Sequence, residues 1–230
     1  MFSNLDFEVI RRSLPYLFYE GMTFTVTLTA LAALGGLIFG TAIALMRLSG
    51  YKTLGRIAGV YVDFMRSLPL VLVIFWFYFL VPYIGQWVTG ASRPIKVGAF
   101  SSSLITFIMF EAAYFSEIMR AGIQSISKGQ PAAASALGLT YSQSMRYIVL
   151  PQAFRNMLPV LLTQTIMLFQ DTSLVYVISA TDFLGAASKI ANRDYRLVEM
   201  YTFAAVVYFV VSFTLSLLVK RLQAKIAVIR

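Results

Sequence analysis

The chain has 230 residues, 59% hydrophobic and 13% charged, with a mean hydropathy of +0.76. An ordinary soluble domain carries about a quarter charged residues, so composition alone places this chain in a membrane. Cysteine and histidine are absent, which argues against disulfides, thiol nucleophiles, most zinc sites, and triad chemistry. The formal charge of +9 is assigned to membrane topology and anionic headgroups, with no need for nucleic acid.

In chain order, the opening "MFSNLDFEVIRRSLPYLFYEG" has acids before its arginines and no apolar core ending in a small-residue cleavage site. No signal peptide is read there, and the mature chain is expected to begin near Met1. A bilayer core of about 30 Å takes roughly 20 helical residues. Five segments qualify: residues 22–46, 60–83, 97–118, 157–179 and 198–219.

The first span carries Gly35, Gly36 and Gly40; Gly36 with Gly40 makes a G-x-x-x-G spacing that serves either subunit pairing or packing inside one chain. The second contains Pro69, tolerable in a membrane helix, and "FWFYF" at residues 75–79, read as lipid-facing packing and interface anchoring. Arg66 could attract an anionic substrate, or make an ion pair or headgroup contact. The third span holds Glu111 with Tyr114 at helical spacing; Glu111 faces a pathway or pairs with Arg66. Glu117 and Arg120, three apart, suit a local ion pair.

Between the third and fourth spans lies "KGQPAAASALGLTYSQSMRYIVLP", read as two short helices. Pro131 suits a first helical position, residues 132–137 are strong helix formers, and Gly138 is a left-handed stop. Thr140 with Gln143 matches a capping box for a second helix over residues 141–149, closed by Pro151. The bland reading is a helical hairpin; the functional one is a docking element whose small residues Ala132, Ala133, Ala134 and Ala136 admit a partner close to the backbone.

In the fourth span Gln164 and Asp171 are seven apart, which at about 100° per residue returns to nearly the same helix face. They could line one pocket, Asp171 meeting a ligand ammonium and Gln164 its side chain. The alternative is that Asp171 caps a helix break before Thr172 and Ser173. All ionisable groups at such depth are costly unless they face a cavity or partner.

Counting lysines and arginines by side gives twelve of nineteen on one face (Arg47, Lys52, Arg56, Arg66, Arg120, Lys128, Arg146, Arg155, Lys220, Arg221, Lys225, Arg230). Seven lie on the other: Arg11, Arg12, Arg93, Lys96, Lys189, Arg193 and Arg196. The positive-inside rule then puts the N-terminus outside and the C-terminus in the cytoplasm.

The stretch "GQPAAASALGLTYSQSMRYIVLPQAFR", residues 129–155, resembles the cytoplasmic EAA loop of ATP-binding-cassette (ABC) importer permeases. Further agreement surrounds it: "MRSLPL" resembles the family's second-helix motif, "EAAYFSEIMRAGIQSI" its third helix and "FQDTSLVYVIS" its fourth. Within the family the chain looks most like the polar amino-acid (HisMQ-like) permeases, those for glutamate and aspartate above all. One departure is Ala132, where the family most often has the glutamate that names the loop.

The resemblance implies an all-α integral membrane protein of type I ABC importer permease fold: one transmembrane domain over residues 1–230, with five transmembrane helices and a cytoplasmic coupling helix in a loop at about 122–156. It implies a bacterial inner-membrane subunit that forms a pathway for polar amino acids. The implied partners are a second permease subunit (a paralogue, or a second copy), two ATP-binding subunits and a periplasmic amino-acid-binding protein. Gly129, Ala132, Ala133, Ala134, Gly138, Leu150 and Pro151 would couple to the ATPases; Gln164, Asp171, Thr172, Ser173, Glu111, Tyr114 and Arg66 are the pathway candidates. The chain has no G-x-x-x-x-G-K-[ST] phosphate loop, so ATP and Mg²⁺ would be used by the partner and no cofactor or metal by this chain. Relatives for cationic substrates tend to have glutamate at the position of Gln164; a neutral group suits an acidic or polar amino acid. Two rival classes stand beside this reading. An intramembrane enzyme lacks reactive side chains, and an ion-coupled secondary transporter using Asp171 and Glu111 lacks an internal inverted repeat.

Overall fold

The computed structural model describes residues 6–226, and among them every regular element is helical. Eight helices follow in order: α1 (Glu8–Leu48), α2 (Lys52–Ser67), α3 (Leu70–Thr89), α4 (Ala99–Gln124), α5 (Gly129–Ala136), α6 (Tyr141–Ile178), α7 (Phe183–Asp194) and α8 (Leu197–Ile226). Five of them, α1, α3, α4, α6 and α8, are long and apolar enough to span a bilayer, as the sequence leads one to expect. Met1 and Arg230, used in the reading of the N-terminus and in the charge tally, lie outside the described residues.

The second span sits differently from expectation. Residues 60–67 belong to the separate helix α2, and the span starts at Leu70. Pro69 is extended (ψ 127°), and the proline ring disfavours helical geometry at Leu68 before it. Lys52, Arg56, Asp63 and Arg66 are all exposed on α2. The stretch 60–65 is apolar but for Asp63, which hides this boundary in the sequence.

The fourth span is corrected in the opposite sense. The helix expected to close at Pro151 continues through it and merges with the span, so α6 runs 38 residues. A proline ring collides with the carbonyl four residues back and offers no N–H. A wider π-turn at Met145–Val149 lies just before Pro151, and another at Trp76–Leu80 just before Pro82. Such a turn makes room for the ring inside the helix, so neither proline is a stop.

The connection between α4 and α6 follows its local signals closely. Gly138 has φ +78°; its N–H donates to the Ser135 carbonyl (3.0 Å) and the Leu139 N–H to Ala134 (3.1 Å). This is the paired closure that a left-handed glycine provides at a helix end. Thr140 and Gln143 form the reciprocal capping box at the start of α6. Helix α5 opens at Gly129, two residues before Pro131, which still lies in its first turn.

The chain packs as two compact units. The first comprises Met1–Leu34, Leu68–Ile108 and Met167–Thr214. Its core joins Val9 and Leu17 of α1 to Phe183, Ala186, Ala187 and Ile190 of α7 and Met200 of α8. Gly21 permits this approach: a Cβ there would lie 2.9 Å from the Ala186 Cβ. The second unit comprises Gly35–Ser67, Met109–Ile166 and Leu215–Arg230. Within it Gly36 and Gly40 of α1 meet α4, where added Cβ atoms would stand 2.7 Å from the Glu111 Cβ and 3.0 Å from the Ala112 carbonyl oxygen. The glycine spacing thus serves helix contact inside one chain.

Candidate functional site

In the second unit α4 brings Glu111 and Tyr114, one helical turn apart, toward α6 and α2. Glu111 is 1% exposed, packed beneath Gly36. The Gln164 amide donates to its carboxylate oxygen at 3.2 Å. Arg66, at the end of α2, is exposed, and its guanidinium lies 5.3 Å from the centroid of the Tyr114 ring. The neighbouring Tyr61 hydroxyl donates to the Met109 carbonyl at 2.7 Å, fixing α2 against α4. Gln164, expected to offer its side chain to a ligand, thus has its N–H group engaged by Glu111. A carboxylate taken out of water is stable only with such partners, so the amide also helps hold Glu111 in place.

Lower along the same helix, Glu117 pairs with Arg120 as the spacing implied, and equally with Arg47 near the end of α1. Arg120 continues the chain of contacts to Gln124. Nothing local in the sequence singles out Arg47, which is 70 residues from its partner.

In the first unit Asp171 ends the α-helical part of α6 and is partly buried; from Thr172 the helix tightens into a 3-10 turn through Ile178. The Asp171 side chain makes no capping hydrogen bond to that turn, so the capping alternative is not realised. Thr172 is fully buried and its hydroxyl donates to the Phe169 carbonyl at 2.7 Å, which occupies the group expected for a pathway. Ser173 is partly buried.

Sequence reasoning also passes over Asp182. This residue is buried before α7 and accepts hydrogen bonds from the N–H groups of Leu184 (2.9 Å) and Gly185 (3.0 Å). The Phe183 N–H donates to the Thr25 hydroxyl at 3.0 Å. Burial pushes the Asp182 carboxyl up to about 7, against the pull of those backbone donors. An acid just before an apolar helix is a recognisable N-cap signal, but its burial depends on α1, far away in sequence. At the other end of α7, Asp194 is held down at about 2, first by Arg193 and then by Arg12.

The loop between α4 and α6 presents a surface of another kind. Ala132, Ala133, Leu150 and Pro151 are exposed, whereas Ala134 is buried within this chain and supports the hairpin. Leu137 and Tyr141 flank Gly138 and are 81% and 79% exposed.

Comparison with known proteins gives a consistent answer. The family model of the binding-protein-dependent transport system inner membrane component matches residues 16–228. The glutamate/aspartate import permease protein GltK of Escherichia coli O6:H1 is 52% identical over 224 residues, covering 97% of this chain and 99% of that protein. The probable glutamine ABC transporter permease protein GlnM of Bacillus subtilis is 32% identical over 210 residues, covering 91% and 93%. The crystal structure of an amino acid ABC transporter with histidines superposes with a TM-score of 0.87 at 33% identity, over 96% of this chain and 99% of that one. The type I importer permease fold implied by the sequence motifs is therefore present. By all three comparisons, over nearly its whole length, the chain belongs to the family of binding-protein-dependent transport system inner membrane components, as a non-catalytic permease subunit.

Proposed function

We propose that this chain is the permease subunit of an ATP-driven importer for glutamate and aspartate in the bacterial inner membrane. The observation that carries the substrate class is the 52% identity, over 97% of the chain, to a glutamate/aspartate import permease. A neutral Gln164 beside Glu111 is consistent with it, because a second carboxylate at this point would repel an acidic substrate. Gln164, Glu111, Tyr114 and Arg66, and separately Asp171 and Ser173, are the proposed pathway contacts. Thr172 takes part through its packing alone.

The partners in this proposal are a second permease subunit (a paralogue or a second copy), two ATP-binding subunits and an extracytoplasmic amino-acid-binding protein. ATP and Mg²⁺ act in the ATP-binding subunits. The loop from about 122 to 156 is the coupling element, with Gly129, Ala132, Ala133, Gly138, Leu150 and Pro151 at or near the ATPase and Ala134 holding the hairpin closed. The N-terminus lies outside and the C-terminus in the cytoplasm. Closure of the ATPases would press on α5; its Schellman closure and the capping box on α6 make that segment stiff enough to transmit the push.

The test is uptake of labelled glutamate, aspartate, glutamine and arginine into vesicles holding the whole complex, with intact Gln164 and with Gln164→Glu. The expected result is ATP-dependent glutamate and aspartate uptake, and a glutamate-to-glutamine ratio that falls at least about tenfold in the variant, equivalent to about 1.4 kcal/mol. Arginine uptake by the unmodified complex, or an unchanged ratio, would refute the acidic-substrate assignment. Uptake that persists with an inactive ATPase would refute the importer class.

A further inference from the structure

Helix α7 divides its residues between two surroundings. Phe183, Ala186, Ala187 and Ile190 are buried in the core of the first unit. Gly185, Ser188, Lys189 and Asn192 recur at the spacing of one helix face and line a cavity of about 240 Å³. Its other wall is the end of α6 and the residues just after it, Tyr176, Ser179 and Ala180. The whole cavity lies within that one compact unit. Tyr176, Ser179, Lys189 and Asn192 are exposed, so it has an open mouth, and its size suits a small solute.

The polar groups of this cavity are not matched to one another. Lys189 is the one charged residue of the lining, and its ammonium has no ion pair among the described residues; it donates to the Thr181 hydroxyl. Asp182 does not neutralise it, because that buried carboxylate engages the Leu184 and Gly185 N–H groups through its two oxygens. The Ala180 carbonyl faces the gap at Gly185, where an added Cβ would stand 2.3 Å from its oxygen. That carbonyl accepts no hydrogen bond from the described residues, although Ala180 is 4% exposed. A carbonyl so enclosed calls for a donor. Ser179, just before it, is left-handed at φ +61°, a conformation uncommon outside glycine. Because Lys189 reaches Thr181, the residue after Ala180, its ammonium and that carbonyl share one wall.

We propose that this cavity is a further binding site for amino acids, additional to the pathway contacts: the ligand's α-carboxylate meets the Lys189 ammonium and the Ser179 hydroxyl, and its α-ammonium meets the Ala180 carbonyl. A cation beside a carbonyl acceptor fits the two ends of a zwitterion. A simple anion leaves the carbonyl without a donor, and a simple cation is repelled by Lys189. Since the site reads groups common to all amino acids, glutamate and glutamine should occupy it alike. The inference rests on the amino-acid importer reading, which supplies the ligand.

The chain has no cysteine, so a single one can report on the cavity. Ser188→Cys is placed in the complete complex with cysteine-free partners, held in lipid nanodiscs without nucleotide or binding protein, and its alkylation by a maleimide is timed. Glutamate and glutamine should each slow the reaction about tenfold at about ten times their dissociation constants. Glutarate, which has two carboxylates and no ammonium, should not protect, and neither should cadaverine, which has no carboxylate. Lys189→Gln should raise the half-protecting glutamate concentration about tenfold, while Gln164→Glu should leave it unchanged. A cysteine in place of Tyr195, 90% exposed just past α7, should be indifferent to every ligand. If Ser188→Cys does not assemble, Asn192→Cys makes the same measurement. Equal protection by glutarate, protection that survives Lys189→Gln or is lost in Gln164→Glu, or protection that needs the binding protein overturns the proposal. So does the absence of protection in a complex that still imports amino acids, a result that leaves the importer reading standing. Protection in a complex with no ATP-dependent uptake would overturn that reading and leave the site.

Discussion

The principal polar clusters of the two compact units are held by different means. In the first, Asp182 and Thr25 accept hydrogen bonds from the backbone N–H groups of residues 183–185, so their side chains fix the course of the main chain into α7. In the second, side chains hold side chains: Gln164 with Glu111, Arg66 over Tyr114, and Glu117 between Arg47 and Arg120. Among the described residues, the first unit carries the seven lysines and arginines assigned outside and the second the eleven assigned to the cytoplasm. A backbone donor deprived of its acceptor in a dry site has no substitute, whereas a guanidinium or amide on a flexible stem can find a second partner. The first arrangement favours a fixed frame; the second favours contacts that can be exchanged during a transport cycle.

The largest effect expected from this contrast is at Asp182. Replacing it by alanine strands the Leu184 and Gly185 N–H groups and should lower stability by about 2–3 kcal/mol. Asp182→Asn keeps an acceptor and should cost far less. The two variants also differ in pH response. The folded-state carboxyl titrates near 7, above its unfolded value of about 3.9, so its contribution is full below pH 4 and is lost as pH rises through 7. Thermal unfolding of the purified complex between pH 4 and pH 8 should show that decline in the parent and not in Asp182→Asn. Identical pH profiles would mean that the carboxyl is not confined as the structure has it.

How much of this was legible beforehand follows from the range of each signal. Gly138 and the Thr140–Gln143 box are local, and both form where the residues alone placed them. The five spans were visible because length and hydropathy suffice to identify them. The boundary at Leu68 was not, since α2 is apolar on two faces and its run merges with the span. Pro151 reads as a stop because the π-turn that accommodates it leaves no mark in composition. The polar contacts around Glu117 and at the start of α7 are half legible: Arg120 and the N–H groups of Leu184 and Gly185 are local to their acids, but Arg47 is 70 residues from Glu117 and Thr25, which accepts from the Phe183 N–H, lies 158 residues from it. Gln164 and Glu111 each stand out as polar groups within apolar spans, but their bond joins residues 53 apart, which no local pattern encodes.

A middle-sized effect is expected where backbone approach, rather than exchangeable side chains, sets the second unit. Gly36→Ala would put a Cβ 2.7 Å from that of Glu111, and the two helices would have to part. Overpacking of this kind costs about 1–3 kcal/mol. Because α4 carries Glu111 outward with it, the substitution should also weaken the bond to Gln164 and alter the glutamate-to-glutamine uptake ratio. A variant as stable as the parent, with an unchanged ratio, would show that the interhelical contact is looser than the structure describes.

The smallest effect tests exchangeability itself. Arg47→Gln leaves Glu117 with Arg120, and Arg120→Gln leaves it with Arg47; the three side chains are partly exposed, so each single loss should cost under about 1 kcal/mol. If the cations substitute for one another, the double variant must cost more than the sum, because only then does Glu117 lack any partner. Stability measured for the four members of this cycle gives the coupling directly. Additive losses would mean that each arginine makes an independent contact, and the second unit would then be as rigidly specified as the first.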